Sequence, residues 1–477
     1  MFDAVVIGGG VIGGSIFREL TKYNGSFCLL EMQEDVAMGA SRANSGIVHA
    51  GFDAKEGSLK AKFNVLGNKM MPKYCEELGV KYRNNGSLVL GYGEEDYNTL
   101  LELKQRGEKN GVEKLSMLNR DELLAIEPNV QDAVTCALFA PTGGIVCPYE
   151  LTIASIGNAM DNGGELLCDF EVSAITKASD IFTITAKDGR SVQAKVVINC
   201  AGFNSAEIAK LVGDNTFDVQ GRKGEYILLD RESGDFVNHT LFTAPTKAGK
   251  GVLVTQTVDN NILLGPTATE QGRDQSTITT PEGLQFITEK VGAMCKSVPH
   301  FNTITSFAGV RAYSDRHDFI IEHSSVCEGL INCAGIESPG LTSAPAIAKH
   351  VVEELFAKFN PLEKNQKFNG TRKADYFFKN LTDEEKNQVI AQDNRYGKMI
   401  CRCEQITEGE IVRAIKTNPP ATNIDAIKRR TRSGMGRCQG GFCQPQVAEI
   451  LARELCIPLE KVTKSGKNSY LLRGKTK

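Results

Sequence analysis

The sequence lacks any long apolar run and any strong excess of one charge. No stretch reaches the roughly 18 consecutive apolar residues that a membrane-spanning helix needs, and the chain opens with folded-domain sequence, MFDAVVI, rather than with a basic leader. We therefore expect a cytoplasmic protein without a signal or transit peptide, in which any membrane attachment comes through a partner. The net charge of −3 also speaks against a protein that binds nucleic acid or an anionic membrane surface as a whole.

Internal repeats and low-complexity tracts are also missing from the 477 residues. Apolar residues make up 41% and charged residues 24%, which is ordinary for a soluble globular protein. At roughly 100–200 residues per domain, the length indicates about two to four domains.

Cysteine is plentiful, with 14 residues. Ten of them are scattered singly, as buried small apolar residues usually are. The other four form a C-x-C pair, Cys401 and Cys403, followed after 34 residues by a C-x4-C pair, Cys438 and Cys443. In a reducing compartment such a cluster indicates metal ligands before disulfides.

The N-terminal residues predict a strand–turn–helix–strand unit. An apolar run at residues 4–7 leads into a glycine cluster, a helix is predicted over 12–23, and a second apolar run follows at 27–30. Two further strands that lead through glycine into helices occur at 195–200 and 329–333. We expect these pieces to share one doubly wound α/β sheet although they lie far apart in sequence.

Two insertions separate these pieces, one mostly helical and one rich in strands, and the second predicts an antiparallel-sheet domain. The predicted organisation begins with a two-part unit over 1–360, which has one discontinuous α/β part at about 1–60, 140–215 and 305–360 and a second part at about 60–140 and 215–305. A polar linker over 361–395, a cysteine-bearing domain over 396–455 and a tail over 456–477 follow.

Gly8, Gly10 and Gly13 form a G-x-G-x-x-G fingerprint between the first strand and the first helix. The first glycine permits a tight turn, the second lets the backbone approach a pyrophosphate, and the third lets helix and strand pack closely. Glu31, which ends the next strand, is placed to accept hydrogen bonds from a ribose hydroxyl. The pattern predicts a dinucleotide site.

Further motifs identify the cofactor by resemblance: SRANSGIVHAG at 41–51, INCAG at 198–202, GVRAYSDRHDFIIE at 309–322 and INCAGIESPGLTSAPAIA at 331–348. With the glycine fingerprint, these resemble the FAD-dependent oxidoreductases of the D-amino-acid oxidase type. Within that group they are most similar to the glycerol-3-phosphate dehydrogenases and the L-2-hydroxyglutarate dehydrogenases. The resemblance covers about residues 1–360 and implies that the discontinuous α/β part of this unit binds FAD and that its second part forms the substrate domain.

The resemblance implies three sets of FAD contacts. Near the flavin pyrimidine edge, backbone N–H groups at a helix start are expected to stabilise negative charge on the reduced flavin. The implied positions are Ser41, Arg42 and Ser45 along the cofactor, Val172 and Gly202 near the adenine end, and Gly335, Pro339, Gly340, Leu341 and Thr342 near the pyrimidine edge.

The substrate site is also implied by resemblance. Arg311, in the GVRAY motif, resembles the arginine that binds a substrate phosphate or carboxylate, and a planar guanidinium suits such groups. His49 is either a base for the substrate hydroxyl or a residue that packs on the flavin. Lys223 is predicted at the mouth of the substrate domain, where Arg222, Arg316 and His317 could add positive charge; the alternative for each is a solvated surface position.

The cysteine-bearing segment resembles the small [2Fe–2S] domain of the bacterioferritin-associated ferredoxin type. Four thiolates suit zinc or an iron–sulfur cluster, and a C-x-C pair is tight for one tetrahedral zinc knuckle. A basic turn at 428–437 carries four arginines and one lysine. These side chains either offset the charge of the thiolate-ligated cluster or dock an acidic partner.

The two cofactors together predict a dehydrogenase. An oxidase passes electrons to oxygen and needs no second redox centre, whereas a cluster connects a two-electron flavin to a one-electron carrier. The expected reaction is oxidation of sn-glycerol 3-phosphate, a small anionic substrate, with electrons leaving to a protein subunit or quinone. Alternatives are oxidation of L-2-hydroxyglutarate or another 2-hydroxyacid, oxidation of an amino or imino acid, and an electron-relay subunit that binds no substrate.

Overall fold

The structure, a computed structural model, describes residues 1–245, 251–373 and 377–474. The strands are, in chain order, β1 (Phe2–Ile7), β2 (Phe27–Leu30), β3 (Ile47–Val48), β4 (Tyr82–Arg83), β5 (Ser87–Gly91), β6 (Ser116–Asn119), β7 (Cys136–Ala140), β8 (Gly144–Val146), β9 (Glu165–Leu167), β10 (Val172–Ala178), β11 (Ile181–Ala186), β12 (Ser191–Asn199), β13 (Val219–Leu229), β14 (Thr240–Thr243), β15 (Leu253–Gln256), β16 (Ile262–Gly265), β17 (Thr269–Gly272), β18 (Thr303–Ser314), β19 (Ile320–His323), β20 (Leu330–Ala334), β21 (Met399–Cys401) and β22 (Ile406–Thr407).

The helices lie between and after these strands. They are α1 (Val11–Leu20), α2 (Leu59–Leu78), α3 (Glu94–Asn110), α4 (Arg120–Ile126), α5 (Pro148–Asp161), α6 (Ser205–Lys210), α7 (Pro281–Met294), α8 (Gly340–His350), α9 (Ala357–Phe359), α10 (Asp383–Gln392), α11 (Glu408–Lys416), α12 (Ile424–Thr431) and α13 (Gln444–Leu455). In the described part of the chain, none of them combines the length and apolar character needed to cross a membrane.

The predicted doubly wound sheet is present as an eight-stranded sheet. Its centre runs β12–β1–β2–β9, β20 joins β12, and all of these pairings are parallel. Strands β1 and β2 are nearly continuous apolar runs because both faces of the sheet are buried, one under α1, α5 and α8 and the other mainly against residues of β10 and β11. The carboxyl ends of β1, β12 and β20 therefore meet at one edge, where parallel α/β sheets bind their ligands.

The second sheet has nine strands and is antiparallel apart from the pairing of β14 with β5. Strand β18, which carries Arg311, pairs along its length with β13. Residues from about 305 were expected in the FAD-binding part, whereas β18 lies in the nine-stranded sheet. The reason is that the pairing partner of a strand is decided by contacts far away in sequence, which the local pattern does not contain.

The first insertion is mostly helical, as predicted, and it also contains strands that were not expected. Besides α2, α3 and α4, residues 60–140 supply β5, β6 and β7 to the nine-stranded sheet. The predicted strands in 215–305 are present as β13 to β17, and the segment between β14 and β15 includes residues 246–250, outside the described residues.

The cysteine-bearing segment has an apolar core of its own. This core is built from α11, α12 and α13 together with residues such as Ile400, Ile406 and Val462. The preceding linker is more ordered than its polar composition suggests, since its described residues include α10 with a complete capping box at Thr382. Residues 374–376 of the linker and 475–477 of the tail lie outside the described residues.

Candidate cofactor and substrate sites

The glycine turn between β1 and α1 has the geometry that its fingerprint predicts. Gly8 has φ +113°, and a Cβ there would lie 2.4 Å from the Cys200 carbonyl oxygen at the end of β12. A Cβ at Gly13 would lie 2.0 Å from the Gly8 carbonyl oxygen. Both positions therefore require glycine, one for conformation and the other for the close contact between helix and turn.

Two side chains converge on this turn. The Glu31 carboxylate accepts hydrogen bonds from the N–H groups of Gly9 (2.7 Å) and Gln33 (2.9 Å). Burial raises the pKa of this carboxyl, and the two hydrogen bonds counteract only part of that rise. The Ser41 hydroxyl accepts from the N–H of Val11 (2.9 Å), the first residue of α1. Ser41 thus lies at the helix N-terminus, where backbone N–H groups suit a pyrophosphate. The neighbouring Arg42 is exposed.

The turn at the carboxyl end of β12 leaves open space beside the glycine fingerprint. Gly202 has φ +55°, and a Cβ there would meet nothing within 4 Å. Val172 is half-buried at the start of β10 and packs against the core that includes Val5 and Ile7. The open space at Gly202 has room for a cofactor that runs across the strand ends, and Val172 lies beside the same core.

The SPGLT turn lies at the end of β20, at the same sheet edge. Gly335 has φ +61°, and Gly340 and Leu341 lie in the first turn of α8, which follows Pro339. Helices α8 and α2 cross so closely that a Cβ at Gly67 would lie 2.0 Å from the Thr342 carbonyl oxygen. This contact fixes the helix start whose N–H groups are predicted to face the flavin.

His49 lies against that helix start. Its backbone N–H donates to the Thr342 hydroxyl (2.9 Å), and its Nε2 lies 3.2 Å from the Ser338 hydroxyl. The imidazole stacks on Phe242 with 5.9 Å between ring centroids. The structure therefore brings His49 together with the predicted pyrimidine-edge residues, and its ring is held in place from two sides.

Arg311 lies on β18 and is half-buried. Its guanidinium donates to the Thr267 carbonyl oxygen (2.8 Å), while its Nε–H is buried without a partner among the described residues. A buried N–H without a partner is costly, which is expected where a ligand completes the site. On the same strand, a Cβ at Gly309 would lie 2.0 Å from the Ala43 carbonyl oxygen. Arg311 shares that face, since residues two apart in a strand point the same way.

Lys223 lies on the opposite face of this strand pair. In the antiparallel register Arg222 faces Arg311, and Lys223 faces Val310. The Lys223 Nζ is 3.1 Å from the Glu225 carboxylate and donates to the Ile278 carbonyl oxygen (3.0 Å). Its side chain is only 9% exposed. The structure thus does not bring Lys223 to the face of Arg311, and it uses the ammonium in a buried ion pair.

The other basic side chains proposed for the substrate mouth have partners within the chain. Arg222 pairs with Glu270 (2.6 Å) and Arg316 with Glu322 (2.8 Å). His317 sits in a turn with φ +58°, and its carbonyl oxygen accepts from Lys60 (3.2 Å). Arg311 is therefore the better candidate for a substrate anion.

Further side chains near Ser45 and His49 were not predicted from the sequence. Tyr226 stacks on Phe307 (4.9 Å between centroids), and its hydroxyl lies 3.3 Å from that of Ser45. Asn64 and Asn68 donate to the His49 carbonyl oxygen at 2.6 and 3.1 Å. The i,i+4 spacing of the two asparagines on a helix could have suggested a shared target.

The four predicted metal-ligand cysteines lie together at one end of the C-terminal segment. The Sγ of Cys403 is 3.8 Å from that of Cys401 and 3.9 Å from that of Cys438. Cys443 is buried, and its Sγ accepts from the Ser433 hydroxyl (3.6 Å). A Cβ at Gly436 would lie 2.6 Å from the Cys403 Sγ, so the loop needs glycine there.

This arrangement fits a cluster with two irons. No group of three or more His, Cys, Asp or Glu side chains in the described ranges is arranged around one ion position. A [2Fe–2S] cluster does not need three ligands around one position, because each of its two irons takes only two of the four thiolates.

The basic turn faces the rest of the chain. Arg429 and Arg430 both pair with Asp35, which follows β2. Arg432 pairs with Asp259 and with Glu404. These arginines therefore pair with carboxylates of the same polypeptide rather than with a separate acidic partner.

Two families match the chain. The family described as FAD dependent oxidoreductase matches residues 3–354. The BFD-like [2Fe-2S] binding domain matches residues 399–453. These matches confirm the predicted resemblance, the FAD-binding α/β fold and the choice of a [2Fe–2S] cluster over zinc.

Named relatives and a solved structure extend this comparison. A glycerol 3-phosphate dehydrogenase of Caloramator mitchellensis is 47% identical over 478 residues, covering 100% of this chain and 99% of that protein. An L-2-hydroxyglutarate dehydrogenase of Escherichia coli is 32% identical over 273 residues, covering 56% of this chain and 64% of that protein. The structure of dithionite-reduced L-alpha-glycerophosphate oxidase from Mycoplasma pneumoniae with FAD bound aligns with a TM-score of 0.74 and 30% identity, covering 78% of this chain and 98% of that chain.

Proposed function

This chain belongs to the family of FAD-dependent oxidoreductases, and from that premise we propose that it is a dehydrogenase that oxidises sn-glycerol 3-phosphate to dihydroxyacetone phosphate. In this proposal the electrons leave through the [2Fe–2S] cluster to a partner protein or a quinone. The observation that carries the choice of substrate is the similarity, along the whole chain, to a protein named glycerol 3-phosphate dehydrogenase.

Arg311 is the residue that we assign to the substrate phosphate. Its buried Nε–H lacks a partner among the described residues, and the other end of its guanidinium is oriented by the Thr267 carbonyl oxygen. Charge-assisted bonds from a planar guanidinium suit a phosphate or a carboxylate. The geometry therefore supports an anionic substrate.

His49 is the residue that we assign to the proton of the substrate hydroxyl. Its ring is fixed by Phe242 and Ser338, and its backbone is held by Thr342 and Asn64. When bound, FAD supplies a hydride acceptor for the carbinol carbon, and the cluster supplies a one-electron acceptor. The protein then has to orient the substrate, neutralise its charge and accept the proton at a His49 ring nitrogen.

Chain length supports a dehydrogenase over an oxidase. The glycerophosphate oxidase structure is covered almost completely, yet it leaves about a fifth of this chain unmatched. The glycerol 3-phosphate dehydrogenase relative is covered along its whole length, including the [2Fe–2S] domain. A second redox centre has a use only if electrons leave the protein by a route other than direct transfer to oxygen.

The test is anaerobic bleaching of the flavin with a panel of substrates on the holoenzyme. We expect glycerol 3-phosphate to bleach the flavin, and L-2-hydroxyglutarate, proline and glycine to leave it oxidised. Bleaching by L-2-hydroxyglutarate but not by glycerol 3-phosphate would replace the proposed substrate with the 2-hydroxyacid. The similarity to an L-2-hydroxyglutarate dehydrogenase makes that compound the most informative competitor.

A further inference from the structure

We propose that two buried clusters of ion pairs fix the iron–sulfur module, residues 399–453, against the rest of the chain, and that this fixed position is required for electrons to pass from flavin to cluster within one polypeptide. The proposal rests on the proposed function only in assuming that the flavin becomes reduced. We call the clusters the Asp35 clamp, formed with Arg429 and Arg430, and the Arg432 clamp, formed with Asp259 and Glu404.

The Asp35 clamp joins the module to the FAD-binding part. The Asp35 carboxylate accepts from Arg429 at 2.6 Å and from Arg430 at 2.8 and 2.9 Å. All three side chains are at most 6% exposed. Burial alone raises the pKa of Asp35, but the two arginines lower it further than burial raises it, so the carboxylate is ionised. Asp35 lies only a few residues beyond Glu31, the predicted ribose ligand.

The Arg432 clamp joins the cluster loop to the substrate sheet. The Arg432 guanidinium donates to Asp259 (2.7 Å), to Glu404 (3.0 Å) and to the Asn261 side-chain oxygen (3.1 Å). Glu404 directly follows Cys403, a predicted cluster ligand, and Asp259 and Asn261 lie in the turn between β15 and β16. One buried guanidinium therefore connects a ligand loop to a different domain.

A third contact joins the cluster loop to a segment that leads toward the predicted flavin site. The Tyr149 hydroxyl is 3.4 Å from the Met435 sulfur, which belongs to the cluster loop. Tyr149 lies in the first turn of α5, which β8 precedes. Strand β8 pairs with β3, and β3 leads directly into His49. The clamps thus hold the cluster loop against the segment that continues into the flavin site.

The clamps are not the module's only source of stability, because it also has an apolar core. Buried ion pairs are also weak evidence for stability, since desolvation offsets much of their attraction. Their better-supported use is to select one arrangement of the parts, because any other docking would bury these charges unpaired. We therefore assign the clamp residues a positioning role.

Substrate oxidation leaves two electrons on the flavin, delivered with the hydride, and the hydroxyl proton goes to a base. The cluster accepts one electron at a time, so emptying the flavin requires the cluster to discharge once to a one-electron acceptor. In the experiment that acceptor is ferricyanide, and protons from the flavin go to the buffer.

The experiment compares the full-length holoenzyme with its Asp35→Asn and Asp259→Asn variants. After anaerobic mixing with glycerol 3-phosphate, we expect flavin bleaching within about twofold of the unmodified protein, while the electron paramagnetic resonance signal of the reduced cluster forms at least about tenfold more slowly. In multiple turnover with ferricyanide, we expect a lower rate only for the electrons that reach ferricyanide through the cluster. Amide hydrogen exchange over residues 424–432 should rise in both variants, which reports undocking without reference to activity.

Asp132→Asn is the matched control. Asp132 also pairs with two cations, Lys296 (2.6 Å) and Arg120 (3.1 Å), but it is 81% exposed. Neither cluster reduction nor hydrogen exchange at 424–432 should change. If the clamp variants lose iron or aggregate, Arg430→Gln provides a milder break, because it leaves the contact between Asp35 and Arg429 in place.

Two results would overturn the proposal. One is cluster reduction at the unmodified rate in variants whose hydrogen exchange shows the module released. The other is unchanged hydrogen exchange in the double variant Asp35→Asn/Asp259→Asn. Failure of glycerol 3-phosphate to bleach the flavin would instead overturn the proposed function. In that case photochemical reduction of the flavin still tests the clamps.

Discussion

Arg311 and Lys223 lie on neighbouring strands, one residue out of register, and therefore project to opposite faces of the same sheet. Arg222, not Lys223, faces Arg311 in the pairing of β13 with β18. The face that carries Arg311 leads to the predicted flavin site. The face that carries Lys223 is closed by the start of α7, where Thr280 donates a hydrogen bond to Glu225. The two basic residues thus have different surroundings: Arg311 lies on the face proposed to bind the substrate, and Lys223 is held in a buried ion pair with Glu225.

Arg311→Ala should abolish most substrate-driven bleaching. Loss of a partly buried, charge-assisted contact with an anion should lower kcat/KM for glycerol 3-phosphate by about 100-fold or more. FAD content and reduction of the cluster by dithionite should be unchanged. Arg316→Ala, which removes an exposed pair with Glu322, should stay within about twofold. Unchanged bleaching in Arg311→Ala would favour an electron-relay subunit that binds no substrate.

Lys223→Ala should affect stability rather than substrate affinity. The substitution leaves the Glu225 carboxylate, which is 3% exposed, without its cation. Removing one partner of a buried pair costs about 3 kcal/mol in the free energy of unfolding, which urea unfolding of the FAD-loaded protein would measure. Lys296→Ala, at an exposed pair, should cost less than about 1 kcal/mol. A large rise in KM without loss of stability would return Lys223 to the substrate site.

His49→Asn tests the two readings of this histidine. If the imidazole accepts the hydroxyl proton, kcat should fall by about 10²–10⁴-fold with little change in bound FAD. Ser338→Ala removes only the hydroxyl that contacts the ring, and it should reduce kcat much less. Equal and small effects of both substitutions in rapid-mixing kinetics would mean that His49 serves only to pack on the flavin.

Cys403→Ser should separate the two redox centres. The cluster should be lost, as iron content and visible absorbance would report, because the hydroxyl is a poor replacement for the thiolate ligand. Bleaching of the flavin by substrate should continue, whereas turnover with an acceptor that depends on the cluster should stop. Cys456→Ser, at an exposed cysteine outside the ligand set, should retain full iron content.

Gly13→Ala should lower FAD binding. The added methyl would lie 2.0 Å from the Gly8 carbonyl oxygen, so the helix must move away from the turn. We expect purified protein with little FAD but a normal iron content. Gly292→Ala, where the methyl meets nothing within 4 Å, should bind FAD normally. Full FAD occupancy in Gly13→Ala would show that the close packing at this turn is not required.

Much of the site follows from local sequence. Gly8 and Gly13 can be recognised from the spacing of the glycine fingerprint, because the tight turn at Gly8 and the contact of Gly13 with the Gly8 carbonyl oxygen arise within one short segment. The spacing of Cys401, Cys403, Cys438 and Cys443 likewise identified a four-thiolate module. Burial of both faces of β1 follows from its continuous apolar residues.

Only the tertiary structure decided how these pieces act on one another. The face that Lys223 occupies depends on a register between strands that begin more than 80 residues apart, and a shift of one residue would reverse it. Asp35 and Arg429 are separated by 394 residues, and nothing near either one predicts their contact. The sequence by itself indicated a dinucleotide-binding turn and a four-thiolate module, because those depend on local spacing, and the resemblance of its motifs to known families then implied FAD and a [2Fe–2S] cluster. The docking of the iron–sulfur module and the choice of Arg311 over Lys223 were decided by long-range pairing and burial.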